Sequence, residues 1–402
     1  MADYVKHLTT LPFQIGPRLA RLDLELTERC NNNCIHCCIN LPAGDLTARA
    51  REMTTDQVRG ILRQAADLGC IEVRFTGGEP LLRPDFEELY LSARRLGMKV
   101  RLFTNGRLVT PRLADLFAQI PARAPIEITV YGMRPESYDA VAQTPGAFAQ
   151  FRRGIALMRE RNVPFVVRGA VLPPNAGEIE EFETWARTLP GMTRRPGYAL
   201  FYDLRCRRDD EARNERIRSL RLSPAQGLAV LTRDPGAYCR EMEQFRAQFM
   251  GPPDRRLFNC GACSGHSACV DAYGRAQPCM GIRAPELTTS LVETGPDTVP
   301  TRDPAPLAKA LEGFTRLRRF SASSLEYLCR CARCSLRGFC LQCPAKSWAE
   351  HGDFETPVEH FCDVAHAQAR WLGWLAEGTR AWEAPLEGPS CSPRRTRSCA
   401  PE

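Results

Sequence analysis

"RLDLELTERCNNNCIHCCIN", residues 21–40, joins a run in which leucines alternate with polar residues to a loop that contains four cysteines. The run predicts a β-strand, because such alternation places apolar side chains on one face of a sheet. Three of the cysteines, Cys30, Cys34 and Cys37, have C-x3-C-x2-C spacing, and Cys38 lies outside the pattern. A structural zinc site takes four ligands, commonly from two C-x2-C pairs, so three clustered thiols leave a fourth place to be explained.

The composition is that of an ordinary globular protein. The chain has 402 residues, of which 44% are hydrophobic and 25% charged, enough to bury a sizeable core. We expect a cytoplasmic protein without a membrane partner, because neither a signal peptide nor a membrane-spanning run is visible. The net charge of +7 is modest for this length, and we expect no nucleic-acid partner. The 19 cysteines indicate metal binding, since disulfides are rare in the cytoplasm.

Strands and helices alternate through the first half of the chain. Thr54 and Gln57 predict a capping box at the start of one helix, and Gly69 suits the position after its end. Alternation of this kind predicts an α/β fold with parallel strands, here a partial (β/α)6 TIM-like barrel with its functional residues at the carboxyl ends of the strands. The six predicted strands are residues 21–27, 71–77, 99–105, 125–131, 165–171 and 198–204.

After about residue 235 the alternation stops and the cysteine density rises. We therefore expect a small Cys-rich domain after the barrel, and then a helix and a Pro/Ser/Arg-rich tail without fixed structure. The predicted segments are an N-terminal extension at 1–20, the barrel at 21–235, the Cys-rich domain at 236–365, and the C-terminal helix and tail at 366–402.

A second motif, "FTGGEPLLRPDF" at residues 75–86, follows the second predicted strand. Its order after the cysteine loop and its place after a strand make the pair of motifs specific. Together the two motifs resemble the radical SAM enzymes. The resemblance implies that Cys30, Cys34 and Cys37 hold three irons of a [4Fe–4S] cluster and are the catalytic ligands. It also implies that S-adenosylmethionine binds the open iron and is reductively cleaved to a 5′-deoxyadenosyl radical, which abstracts hydrogen from a substrate.

The resemblance also implies contacts to S-adenosylmethionine. His36 takes the place where the family usually has an aromatic residue, and the "GGEP" backbone would meet the amino group of the ligand. For the residues at later strand ends, an ordinary polar strand end is an equally good interpretation. The implied cofactor-binding residues are His36, Gly77, Gly78, Glu79, Pro80, Asn105, Thr129 and Arg168.

The later cysteines resemble the SPASM extension of radical SAM enzymes, which carries two auxiliary [4Fe–4S] clusters. The features that carry the resemblance are a Gly274-x4-Cys279 element, a C-x2-C-x5-C-x2-C run and a distant Cys362. One implied cluster uses Cys260, Cys279 and Cys343, with Cys263 or Cys269 as its fourth ligand; the spacing favours Cys263. The other implied cluster uses Cys331, Cys334, Cys340 and Cys362. A zinc-ribbon site is the alternative for the 331–343 run.

Three hypotheses for the function remain open. The first is a radical SAM enzyme that modifies a ribosomally made peptide or a protein side chain, and the second is an enzyme of haem or other cofactor synthesis. The third is an iron–sulfur electron carrier or a zinc scaffold, which the "GGEP" motif argues against. Cys206 is either a donor of hydrogen to the substrate, or a substrate-binding thiol, or an inert buried one.

The resemblance also implies partners. We expect an external electron donor of the flavodoxin or ferredoxin type. A separate leader-peptide recognition protein is expected too, because the residues before position 20 are too few for a recognition domain.

Overall fold

Parallel β-strands with helices between them form the centre of the molecule. The computed structural model describes residues 19–260, 265–292 and 305–384. Within these residues, nine strands form one sheet in the order β11-β10-β9-β1-β4-β5-β6-β7-β8, and β2 pairs with β3 beside it. The strands are β1 (Arg21–Thr27), β2 (Arg29–Cys30), β3 (Leu41–Pro42), β4 (Glu72–Gly77), β5 (Lys99–Thr104), β6 (Arg123–Val130), β7 (Phe165–Ala170), β8 (Gly197–Ala199), β9 (Ser267–Val270), β10 (Arg275–Gln277) and β11 (Thr289–Ser290).

The helices lie mainly between the strands of the barrel and then along the second half of the chain. The α-helices of the described residues are α1 (Leu46–Arg51), α2 (Thr55–Asp67), α3 (Phe86–Arg95), α4 (Pro111–Gln119), α5 (Pro135–Ala142), α6 (Ala147–Glu160), α7 (Ile179–Arg187), α8 (Glu211–Ser219), α9 (Pro224–Leu231), α10 (Pro235–Phe249), α11 (Pro306–Thr315), α12 (Leu325–Cys329), α13 (Pro344–His351) and α14 (Glu359–Trp371). The capping box predicted at Thr54 and Gln57 is present at the start of α2, and Gly69 after its end has φ of 82°.

The two faces of the barrel sheet differ in chemistry. On β1, Leu22, Leu24 and Leu26 are fully buried in the hydrophobic core. The residues between them are polar, and the guanidinium of Arg74 on β4 lies 3.2 Å from the carboxylate of Asp23. Since side chains alternate along a strand, the apolar residues pack against the helices and the charged residues lie on the opposite face. That opposite face is the interior of the barrel.

The α/β fold with a largely parallel sheet is confirmed. From β1 through β4, β5, β6 and β7 to β8, all neighbouring strands pair in parallel. The sixth predicted strand, residues 198–204, is shorter in the structure, where β8 ends at Ala199. Beyond that residue the chain bonds to other parts of the structure: Leu222 donates its main-chain N–H to Leu200, and Arg221 donates from Nε to the carbonyl of Tyr202.

The sheet continues across the predicted boundary at residue 236. Strand β9 pairs in parallel with β1, and β9, β10 and β11 then form an antiparallel meander. A buried ion pair joins the same parts, because Arg283 contacts both carboxylate oxygens of Glu25 at 2.6 Å. The segment boundaries of the sequence analysis stay predictions, although the helix expected after residue 366 begins earlier, at Glu359. Most of the predicted extension at 1–20 and the end of the tail lie outside the described residues.

Candidate active site

The loop after β1 brings together the three thiols of the C-x3-C-x2-C pattern. The main-chain N–H groups of Asn32 and Asn40 donate to the sulfurs of Cys30 and Cys37, each at 3.4 Å. Burial, together with the neighbouring Cys37 thiol, raises the pKa of Cys34 to about 12. Burial also raises the pKa of Cys30 strongly, and both other thiols of the loop add to that rise. The three thiols thus lie on one short loop of the chain, as joint ligands of one group must.

The two glycines of the "GGEP" motif are required by close packing against the first strand and its loop. A Cβ on Gly77, which has φ of 121°, would lie 2.1 Å from the carbonyl oxygen of Thr27. A Cβ on Gly78 would lie 2.3 Å from the carbonyl oxygen of Arg29. The Gly78 N–H donates to Thr27 at 2.7 Å, so the motif is fastened directly to the backbone that leads into the cysteine loop.

Glu79 is fully buried, and its carboxylate oxygens accept three hydrogen bonds. It accepts from the main-chain N–H of Leu81 at 3.0 Å, from the hydroxyl of Thr104 at 2.8 Å and from the N–H of Asn105 at 2.8 Å. Burial raises its pKa to about 7, against the effect of these hydrogen bonds. The carboxylate therefore ties the "GGEP" motif to the end of β5. Pro80, also buried, begins the short 3₁₀ turn that follows.

Asn105 extends this link to the cysteine loop. Its side-chain amide donates to the Oδ1 of Asn31 at 2.7 Å and lies 3.9 Å from the sulfur of Cys30. Arg107, in the same "FTNGR" segment, is 5% exposed and donates to the main-chain carbonyl of Asn31 at 2.5 Å. The sequence analysis singled out Asn105 but missed Arg107, whose only signal was its place in that segment.

Several buried polar atoms of the cysteine loop have no hydrogen-bond partner among the described residues. They are the Nδ2 atoms of Asn31 and Asn32 and the Nδ1 atom of His36. Burial lowers the pKa of His36 to about 4, so the ring is neutral at neutral pH. Its centroid lies 4.8 Å from that of Tyr202 and 5.8 Å from that of Tyr131. Buried polar atoms normally find partners, so this loop fits a bound polar group.

The two remaining predicted contacts, Thr129 and Arg168, lie opposite each other on β6 and β7. The side chain of Arg168 is 62% exposed, and its guanidinium pairs with Glu127 on the polar face of the sheet. Neither residue is bonded to the cysteine loop in the structure, so their predicted roles stay predictions. Cys206 is buried at 7% exposure, and burial raises its pKa; its role also stays a prediction.

The second group of cysteines lines a cavity of about 370 Å³. Burial and the neighbouring Cys362 thiol raise the pKa of Cys334 to about 11, and the same two causes act on Cys331 and Cys340. Metal binding would release these protons, since thiolates are the ligand form. The cysteines that line the cavity are Cys260, Cys331, Cys334, Cys340, Cys343 and Cys362.

Cys260 and Cys343 line this cavity together, and Cys279 belongs to the same predicted ligand set. Burial raises the pKa of Cys279 to about 12, and both other thiols contribute to that rise. Cys269 lies elsewhere: it is fully buried on β9, with its sulfur 4.0 Å from Oε1 of Glu25. Cys263, which the spacing favours as the fourth ligand, lies outside the described residues.

The comparisons with known proteins agree with these features. Residues 24–186 match the family model described as the Radical SAM superfamily. The AdoMet-dependent heme synthase of Methanosarcina barkeri is 27% identical over 354 residues, which is 84% of this chain and 94% of the relative. The PqqA peptide cyclase of Xanthomonas axonopodis pv. citri is 32% identical over 165 residues, 41% of this chain. That match covers only 43% of the cyclase, so the chain spans less than half of this relative.

Two solved structures are similar in fold. The anSMEcpe structure with bound AdoMet and Cp18Cys peptide has a TM-score of 0.58 and 14% identity, covering 88% of this chain and 96% of its own. Streptococcus suis SuiB bound to S-adenosylmethionine has a TM-score of 0.54 and 13% identity, covering 90% and 79%. Likeness at this identity speaks for the fold alone.

A partial parallel barrel with a three-cysteine loop at the mouth defines a class of enzymes that use an iron–sulfur cluster with S-adenosylmethionine. Residues 24–186 of the chain are a domain of the radical SAM superfamily, and a Cys-rich segment follows it. Membership brings a [4Fe–4S] cluster and S-adenosylmethionine as cofactors. Among the described residues, no helix is both long and apolar enough to cross a membrane.

Proposed function

We propose that this radical SAM enzyme modifies a ribosomally made peptide or a protein side chain, and that Cys30, Cys34 and Cys37 hold its SAM-binding cluster. The observation that carries the cluster assignment is that these three cysteines share one loop whose buried polar atoms lack partners among the described residues. When bound, the reduced cluster and S-adenosylmethionine supply a hydrogen-abstracting radical. The protein's own residues must hold the ligands in place and keep water out.

Three features of the chain perform these tasks. The N–H groups of Asn32 and Asn40 donate to ligand sulfurs, which favours their charged form. Glu79 and Asn105 connect the "GGEP" motif to the loop through buried hydrogen bonds, so the implied amine-binding backbone and the cluster keep a fixed distance. The aromatic rings of Tyr131 and Tyr202 lie beside His36.

We further propose two auxiliary clusters, each with its own set of thiols. The set Cys331, Cys334, Cys340 and Cys362 is supported by the single cavity that all four cysteines line. The other set is Cys260, Cys279 and Cys343, with Cys263 as the fourth ligand. The position of Cys269 beside Glu25 speaks against Cys269 in that role.

The peptide substrate is supported by the similarity to PqqA peptide cyclases. A radical has to form close to its target, and an open barrel mouth suits a side chain presented on a longer peptide. Under this proposal the enzyme needs an external electron donor of the flavodoxin or ferredoxin type. A separate protein would recognise the leader peptide.

A second candidate is an enzyme of haem or other cofactor synthesis. One observation favours it: the match to the heme synthase of Methanosarcina barkeri extends over 94% of that protein and so includes the Cys-rich half. The identity of 27% over this length is lower than that of the shorter peptide-cyclase match.

The test is a substrate comparison with the anaerobically reconstituted enzyme and a strong reductant. Candidate precursor peptides from neighbouring genes and a ferric or metal-free porphyrin are incubated separately, and products are read by mass spectrometry alongside 5′-deoxyadenosine. A mass change on a peptide supports the proposal. Turnover of the porphyrin with every peptide unchanged would replace it by the second candidate.

A further inference from the structure

Arg213 contacts the cysteine loop from outside the barrel sheet. It lies on α8, and its Nε donates to the carbonyl oxygen of Cys37 at 3.1 Å. Its Nη2 lies 3.2 Å from the carbonyl oxygen of Cys34 and 2.7 Å from Oδ1 of Asn40. A single guanidinium therefore spans the main chain of two of the three thiol-bearing residues. No residue pattern around position 213 predicts this contact.

The surroundings of Arg213 hold its backbone in place. The side chain of Asp210 caps α8 by accepting from the N–H of Arg213 at 3.0 Å. Asn214, which is fully buried, accepts from the N–H of Arg205 at 2.9 Å. The first turn of α8 is thus fixed to the segment that follows β8, and the guanidinium is presented to the loop from a rigid support.

The charge of Arg213 has no carboxylate partner among the ion pairs of the described residues. Arg107, which also contacts the loop, likewise has no ion pair among the described residues, although its charge lowers the pKa of the buried Glu79. Both arginines bond to the main chain of the loop. Arg213 therefore brings to the loop a positive charge that has no ion-pair partner among the described residues.

We propose that Arg213 is a positioning residue for the three-cysteine loop, which it holds by the carbonyls of Cys34 and Cys37 while placing a positive charge beside the cluster. The inference rests on the proposed role of these cysteines as cluster ligands. Fixed carbonyls restrict the directions of the thiols, so the loop is organised before the metal enters. A nearby positive charge stabilises the reduced cluster, which is the more negative state, and therefore raises its midpoint potential.

Two substitutions separate the bonds from the charge. Arg213→Gln removes both, and Arg213→Lys keeps the charge but loses the set of guanidinium hydrogen bonds to the loop. Arg216→Gln is the matched control, because Arg216 is an exposed arginine on the same helix. Two quantities are measured: the midpoint potential of the SAM-binding cluster by EPR-monitored titration, and the maleimide labelling rate of Cys34 in metal-stripped protein.

We expect Arg213→Gln to lower the midpoint potential and to raise the labelling rate about fivefold, which corresponds to the loss of ordinary hydrogen bonds to the loop. Arg213→Lys should restore the potential but not the slow labelling, and Arg216→Gln should match the wild type. Labelling as slow in Arg213→Gln as in the control would overturn the positioning role. An unchanged potential in Arg213→Gln would overturn the role of the charge.

The labelling measurement needs no cluster, so it separates this inference from the proposed function. If the wild type binds no cluster at Cys30, Cys34 and Cys37, the proposed function fails. Faster labelling of Cys34 in Arg213→Gln would still support the organising contact, and unchanged labelling would reject it. Should the Gln variant fail to fold, Arg213→Lys carries the same labelling test.

Discussion

The barrel loop and the Cys-rich half both collect thiols, but they do so over different sequence distances. The loop takes Cys30, Cys34 and Cys37 from one short stretch after β1, and Asn105 of the barrel lies 3.9 Å from the sulfur of Cys30. The cavity of the second half collects thiols from positions 260 to 362, and one of them, Cys260, is exposed. Short elements such as the five-residue helix α12 connect them.

This difference concerns what organises each site before metal binds. The loop is held by main-chain hydrogen bonds, by Arg107 and Arg213, and by the hydrophobic core of the barrel beside it. The Cys-rich half has fewer regular elements, and its cavity is lined largely by thiols and polar groups. We therefore expect metal to contribute more to the folding of the second half than to that of the barrel, as it does in small metal-stabilised domains.

The largest expected effect is on the barrel loop. Replacing Cys30, Cys34 and Cys37 together with Ala should abolish cleavage of S-adenosylmethionine and lower the iron content from about twelve to about eight per chain. The measurements are 5′-deoxyadenosine formation and iron and sulfide analysis after anaerobic reconstitution. Cys38→Ala is the control, because Cys38 adjoins the pattern but lies outside it. Cleavage that persists in the triple variant would refute the ligand assignment.

A double substitution in the auxiliary set of cysteines tests the Cys-rich half. Changing Cys260 and Cys279 to Ala should remove about four irons and stop product formation, while S-adenosylmethionine still binds with unchanged affinity. The reason is that both thiols are assigned to a cluster other than the one that binds S-adenosylmethionine. The measurements are product mass and equilibrium binding of S-adenosylmethionine. A large loss of affinity for S-adenosylmethionine would show that the auxiliary thiols and the S-adenosylmethionine site are not independent, and would contradict this prediction.

Sequence patterns predicted the barrel strands and the cysteine loop because both are set by local spacing. The alternation in residues 21–27 and the cap at Thr54 are short-range signals, and the structure contains both elements. The pairing of β9 with β1 was not predicted, because Cys269 meets Asp23 across most of the chain and nothing local marks the partner.

The auxiliary ligand sets came from a resemblance rather than from physical reasoning. Arg107 and Arg213 were missed for a related reason: their partners are main-chain carbonyls of the loop, and no residue type signals such an acceptor. The sequence analysis identified the "GGEP" glycines, but it did not identify the packing contacts that require them. The structure adds that they make room for the backbone of Thr27 and Arg29.

The glycine packing predicts a stability effect confined to the barrel. Gly77→Ala should lower the free energy of unfolding by about 3 kcal/mol, because its Cβ would meet the carbonyl oxygen of Thr27 and its φ is positive. Gly60→Ala is the matched control, since a Cβ there, in the middle of α2, meets nothing within 4 Å. That change should stabilise by about 0.5–1 kcal/mol. Chemical denaturation monitored by far-UV circular dichroism measures both, and equal effects would contradict the packing argument.

The smallest effect compares two capping boxes, one on a helix of the barrel core and one on a helix that packs against the second half. Thr54 caps α2 in the barrel, and Ser223 caps α9, which packs on α14 of the second half. In metal-loaded protein, Thr54→Ala and Ser223→Ala should each cost about 1 kcal/mol. In metal-stripped protein, the cost of Ser223→Ala should shrink, because α9 loses a well-packed partner once the helix that carries Cys362 loosens. The cost of Thr54→Ala should persist, because α2 packs on a core that needs no metal. Hydrogen exchange of the two helices with and without chelator measures both costs; a Ser223→Ala cost that is the same in both states would show that the second half is organised without its clusters.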